Sequence, residues 1–162
     1  MIVCRAANAA PDLYLAVSAG APFVDCLTTL LDDELPLTVT EREEFGDPTT
    51  DEKAFDLIHG ISPVLTIPSG AVAPNMLLVT SLHDTRVGFW EPMKLAARMR
   101  AQMVHGKAVG RFVVLMCDAN SGHDGASGRY EHIEEIAREY AFVIDAARRE
   151  REGDERNGET LP

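Results

Sequence analysis

Two uninterrupted apolar runs constrain this chain more than any other feature. Residues 76–82 (MLLVTSL) and 112–117 (FVVLMC) lack the polar alternation of a half-solvated strand. A strand without a polar face must be covered on both sides, as in a parallel sheet sandwiched between helices. The segment between the runs supplies such a helix. It starts at Glu91-Pro92, with proline in the first turn, and continues through Met93, Ala96, Met99 and Met103 to Gly106. A further buried strand is read at 14–19, after a helix at 2–10 that stops at Pro11. A short helix is expected at 25–35, then an acidic loop and a helical turn near 52–58. The longest helix is expected at 129–148. There Tyr130, Ile133, Ile136, Ala137, Tyr140, Val143, Ile144 and Ala147 keep helical spacing opposite Glu131, Glu134, Glu135 and Arg138. Strands alternating with helices predict an α/β fold, a mostly parallel sheet with flanking helices, over residues 1–147. Residues 148–162 are wholly polar and are expected to form a disordered tail.

The chain has 162 residues, enough for one domain or part of one. No run approaches the roughly 18 apolar residues of a membrane span, so no membrane is expected as a partner. No basic segment followed by an apolar run marks a secretory signal. Cys4, Cys26 and Cys117 are odd in number and far apart, and are read as reduced core thiols of a cytoplasmic protein. His59, His83, His105, His123 and His132 show no HxH or HExxH spacing, which argues against a metal site. Net charge is −11, and ten carboxylates lie between Asp32 and Asp56 against Arg42 and Lys53. That imbalance argues against nucleic acid as a partner. It fits either a plain solvated face or a surface that attracts cations.

In open parallel sheets, functional side chains sit in loops past the carboxyl ends of the strands. Two segments occupy such places: His83-Asp84-Thr85-Arg86, and Ser121-Gly122-His123-Asp124-Gly125. An aspartate after one strand and a histidine after the next keep the acid-then-histidine order of α/β-hydrolases. Glycines 122 and 125 would give His123 a tight, open loop. The plainer alternatives are a helix-capping aspartate and an exposed loop histidine, and spacing alone leaves both open.

Longer strings narrow the choice. Pro22-Phe23-Val24-Asp25, Leu35-Pro36-Leu37-Thr38 with the following EREEFG of 41–46, and Ile61-Ser62-Pro63 occur in order. They are followed by His83-Asp84-Thr85-Arg86-Val87, Phe89-Trp90-Glu91-Pro92, Ser121-Gly122-His123, Ser127-Gly128-Arg129 and Glu139-Tyr140-Ala141-Phe142. Over residues 1–147 this series resembles the prolyl oligopeptidase family of serine peptidases, in particular its oligopeptidase B branch. The resemblance implies a partial α/β-hydrolase fold, with Asp84 as triad acid and His123 as triad base. It also implies that Arg86 contacts substrate backbone near the scissile bond. Glu41 and Glu43 match the acidic pair that favours arginine or lysine before the cleaved bond, so short basic peptides are the implied substrates, with no cofactor. Guanidinium groups bind carboxylates through two parallel charge-assisted hydrogen bonds, which makes the match chemically sensible.

The nucleophile of that family sits in a G-x-S-x-G elbow, and the sequence contains no such motif. The nearest imitation, Ala16-Val17-Ser18-Ala19-Gly20, lacks the first glycine and falls within a strand. By the register of the resemblance, residues 1–10 match the helix after the elbow, and the serine would precede Met1. Three expectations follow. The chain alone should be inactive, its exposed sheet edge should promote self-association, and it is either a fragment of a peptidase or a non-catalytic remnant that complements a partner. An esterase of the same fold is a further alternative, against which Glu41 and Glu43 speak.

Overall fold

The computed structural model describes residues 1–69, 73–105, 111–125 and 128–157. In chain order the elements are α1 (Ile2–Ala9), β1 (Ala16–Gly20), α2 (Cys26–Leu30), α3 (Thr38–Phe45), α4 (Glu52–Ile61), β2 (Asn75–Ser81), α5 (Trp90–His105), β3 (Val113–Asp118) and α6 (Arg129–Asn157). A single 3-10 turn, Pro11–Leu13, closes α1.

The three strands pair in parallel in the order β1-β2-β3. Register places Val17 beside Met76 and Met76 beside Val113, so alternate residues of all three strands share a face. On that face Val17, Ala19, Met76, Leu78 and Val113 form one core with Cys4 and Ala7 of α1 and Leu95, Ala96 and Met99 of α5. The opposite face carries Ser18, whose hydroxyl donates to Glu139 of α6 at 3.0 Å. Helices therefore cover both sides of β2, as its unbroken apolar run demands. Met76, Leu77 and Leu78 are each at most 1% exposed, and burying such a side chain contributes roughly 1.5–3 kcal/mol.

A second, smaller core joins Cys26, Leu27 and Leu30 of α2 to Ala54 and Ile58 of α4, flanked by Phe23 and Phe45 in an edge-to-face pair at 5.9 Å. This layer supports α3, where a loop was expected. The Thr38 hydroxyl donates to the Thr29 carbonyl at 2.8 Å, and Arg42 pairs with Asp33. Gly46, with φ +88°, ends the helix where a Cβ would come within 2.8 Å of Ala54 Cβ. Tertiary anchors thus override a local sequence too acidic to read as a helix.

Three other expectations change. The apolar stripe of the last helix points outward: Tyr130, Ile133, Tyr140 and Ile144 are exposed, and the sheet side is met instead by Glu139, Phe142 and Ala146. The three-stranded sheet covers only part of the helix circumference. Helix α6 also continues past residue 148 to Asn157, sustained by pairs of Arg148 and Arg149 with Asp145 and of Arg111 with Glu150. Residues 158–162 of the expected tail, like Ser127 of the Ser127-Gly128-Arg129 string, lie outside the described residues. Cys4 and Cys26 are buried free thiols whose burial pushes their pKa up to about 11 and about 12, whereas Cys117 is exposed near the end of β3, an edge strand.

Candidate active site

Strands β2 and β3 end side by side, and two contacts bind the loops that leave them. The buried hydroxyls of Ser81 and Ser121 lie 2.9 Å apart, and the Leu82 amide donates to the Asp118 carbonyl at 2.7 Å. Just beyond, Asp84 folds its own loop. Its Oδ1 accepts from the amides of Arg86 and Val87 at 2.8 and 2.9 Å, the local side-chain-to-backbone turn that aspartate favours. On the other loop the Gly125 amide donates to the Gly122 carbonyl at 3.2 Å, with Gly125 at φ +76°. A residue with a Cβ would be strained there, and its Cβ would also lie 2.8 Å from Glu135 Oε2. This tight turn directs His123 at the aspartate.

His123 Nδ1 lies 3.0 Å from Asp84 Oδ1 and 2.9 Å from Oδ2. The carboxylate is fully buried, while the imidazole is 27% exposed. Burial pushes the Asp84 carboxyl up, but the Val87 and Arg86 amides and the His123 ring outweigh it and hold it below the usual carboxylate range. An ionised carboxylate only accepts, so the shared proton belongs on Nδ1, and Nε2 keeps the lone pair of a general base.

The pair borders a cleft of about 450 Å³. Its lining combines the apolar residues Phe23, Leu30, Phe45 and Trp90 with the acidic Glu41 and Glu44, and the buried Glu91 lies behind it. Arg86 also lines it, more than half exposed, with Nη1 3.9 Å from Asp124 Oδ1. Of the five residues singled out from sequence, Asp84, His123, Glu41 and Arg86 therefore meet in one place. Glu43 does not: it is exposed and absent from the cleft lining, where Glu44 appears. The cause is helical geometry, because a residue two along from Glu41 is turned by about 200° whereas one three along shares its face. Reading 41–46 as a loop hid that spacing. Glu91 and Ser121 fall within strings singled out from the sequence, Phe89-Trp90-Glu91-Pro92 and Ser121-Gly122-His123, but their bonds to the segment 23–30 and to Ser81 emerge only where distant segments meet. Among the described residues no group of three or more His, Cys, Asp or Glu is placed to hold a metal ion, and no helix is long and apolar enough to cross a membrane.

Comparison with known proteins follows the same line. Residues 1–149 match the sequence model of the prolyl oligopeptidase family. Protease 2 of Moraxella lacunata is 37% identical over 145 residues, 90% of this chain and 20% of that protein. Dipeptidyl aminopeptidase BI of Pseudoxanthomonas mexicana is 37% identical over 146 residues, 90% of this chain and 19% of that protein. Among solved structures, oligopeptidase B from Leishmania major superposes with a TM-score of 0.84 at 34% identity, covering 91% of this chain and 20% of that one. The chain thus spans about a fifth of the length of these relatives. The sheet and its helices are a part of an α/β-hydrolase fold.

Proposed function

Because this chain belongs to the prolyl oligopeptidase family, we propose that it supplies the acid and base of a serine peptidase that cleaves short peptides after arginine or lysine. The observation that carries this reading is the contact of His123 with a buried, ionised Asp84 at the border of an acidic and apolar cleft. In the proposed reaction a serine from outside these 162 residues attacks the peptide carbonyl. His123 Nε2 takes the hydroxyl proton and then delivers it to the departing amine. Asp84 holds the ring in the required tautomer and stabilises the imidazolium. Water, deprotonated by the same nitrogen, then attacks the acyl carbonyl, and the nitrogen returns that proton to the departing serine oxygen. Arg86 contacts the substrate backbone, and the Glu41 and Glu44 carboxylates receive the guanidinium or ammonium, while the apolar walls cover its methylene stem. Glu43 stands outside the cleft.

Without a G-x-S-x-G elbow, the chain alone is expected to hydrolyse nothing. A polypeptide joining residues 1–149 to the preceding strand and elbow of a relative such as Protease 2 tests the assignment. It should cleave blocked arginyl and lysyl amides and accept a serine-directed phosphonate, and changing His123 to alanine should abolish labelling. Labelling that survives the change refutes His123 as base. Similarity to a dipeptidyl aminopeptidase makes the same assay informative with unblocked dipeptides, since a preference for them would indicate an exopeptidase. For the chain by itself a second reading is association: β1 is an edge strand and α6 exposes an apolar stripe, so a concentration-dependent oligomer is expected. A sharp monomeric unfolding transition would count against that.

A further inference from the structure

Glu91 is a carboxylate with no role in the chemistry above, yet it is 1% exposed. Its Oε2 accepts from the amides of Val24 and Asp25, each at 2.8 Å, and its Oε1 accepts from the Thr29 hydroxyl at 2.8 Å. Its own amide donates to the Gly88 carbonyl at 3.0 Å. One turn further along α5, Lys94 pairs with the buried Asp25 carboxylate at 2.5 Å. The Glu91 side chain therefore ties the segment 23–30 to the first turn of α5, and that turn continues directly from the loop 84–88 that carries Asp84 and Arg86, through the backbone bond to Gly88. Both segments wall the same cleft, through Phe23, Thr29 and Leu30 on one side and Asp84, Arg86 and Val87 on the other.

Burial pushes the Glu91 carboxyl up, against the hydrogen bonds it accepts. A group selected for stability alone would do as well as an apolar residue of similar size, because burying a charge offsets most of what its bonds return. What an apolar residue cannot do is bind two backbone amides and a hydroxyl of another segment in one fixed arrangement.

We propose that Glu91 is a positioning residue that locks the recognition wall at 23–30 to the loop presenting Asp84 to His123. Ligand seating and imidazole alignment are then set by one joint. The assignment rests on the cleft and the Asp84–His123 pair as read above.

The test uses the 162-residue chain with three variants, Glu91→Ala, Glu91→Gln and Thr29→Val. Three quantities are measured by NMR and fluorescence: hydrogen exchange at the Val24, Asp25, Arg86 and Val87 amides, the His123 Nδ1 proton resonance, and agmatine binding followed by Trp90, the only tryptophan in the chain. Glu91→Ala is expected to speed exchange at all four amides, to broaden the His123 resonance and to weaken agmatine at least about tenfold, the scale of one charge-assisted hydrogen bond. Glu91→Gln should restore all three quantities to near the parent values. Its carbonyl oxygen can accept from both amides, and its NH₂ can donate to Thr29. Faster exchange confined to Val24 and Asp25, with Arg86, Val87 and the His123 resonance unchanged, overturns the proposal. If Glu91→Ala fails to fold, Thr29→Val decides, since it removes one anchor and no volume: unchanged Arg86 and Val87 exchange overturns the joint, and faster exchange supports it. Agmatine that does not bind the parent chain, alongside exchange that still couples the two segments, refutes the basic-ligand reading and leaves the positioning role standing.

Discussion

Replacing Asp84 by asparagine separates the two jobs this carboxylate performs. Its Oδ1 accepts from the Arg86 and Val87 amides at 2.8 and 2.9 Å, and an asparagine carbonyl placed there can keep both bonds. The other oxygen faces His123 Nδ1 at 2.9 Å, where an NH₂ can only donate, and Oδ1, 3.0 Å from the same nitrogen, is already engaged by the two amides. The imidazole must then accept at Nδ1 and carry its proton on Nε2, the wrong tautomer for a base. The stability lost is that of one hydrogen bond to a charged group, about 1.5–3 kcal/mol. Alanine additionally leaves the partly buried Val87 amide without its acceptor, at about 1–3 kcal/mol, while the exposed Arg86 amide can turn to water, so Asp84→Ala should be the less stable by at least about 1 kcal/mol. Urea unfolding measures the difference, and ¹⁵N spectra of His123 report the tautomer. In the serine-bearing polypeptide, Asp84→Asn should lower kcat by about 10⁴, the loss expected when a triad histidine is held in the wrong tautomer. Equal destabilisation by asparagine and alanine, or a proton that stays on Nδ1 in the asparagine variant, refutes the reasoning.

Four further outcomes are expected. Because the Asp84 carboxyl is held below its usual range, its stabilisation is present above the unfolded-state pKa of about 3.9 and is lost as pH falls through the folded value; acid unfolding of Asp84→Asn should therefore be less steep in that window. Glu91 has the opposite sign, since its raised pKa gives a contribution complete below about pH 4.3 and lost as pH rises through the folded value, so melting curves of Glu91→Gln should vary less with pH between those two values. Glu41→Gln and Glu44→Gln should each weaken agmatine by about tenfold or more, with Glu43→Gln near the parent; equal losses at Glu43 and Glu44 in calorimetry would show that the cleft does not select between them. Leu78→Ala, at a fully buried position of the central strand, should cost about 2–5 kcal/mol in chemical denaturation, and a loss under 1 kcal/mol would show that β2 is not the core.

Much of this protein is legible in its sequence. The unbroken apolar runs point to a parallel sheet under helices, and β2 is covered on both faces as that reading requires, whereas β3, at the sheet edge, is only partly buried and leaves Cys117 exposed. The placement of Asp84 and His123 just past successive strands follows from that, since parallel neighbours end on the same side. The resemblance to a peptidase family likewise rests on residues read in order. Tertiary structure decided which acid faces the cleft, because the phase of α3 depends on Thr38 reaching Thr29 and on Phe45 packing against Phe23, contacts between segments that no local pattern encodes. It also decided the outward face of α6, since helical spacing defines a stripe but not what lies opposite it. The joint made by Glu91 exists only once residues 24, 25 and 29 have been brought around it, for hydrogen bonds between distant segments are a property of the folded chain.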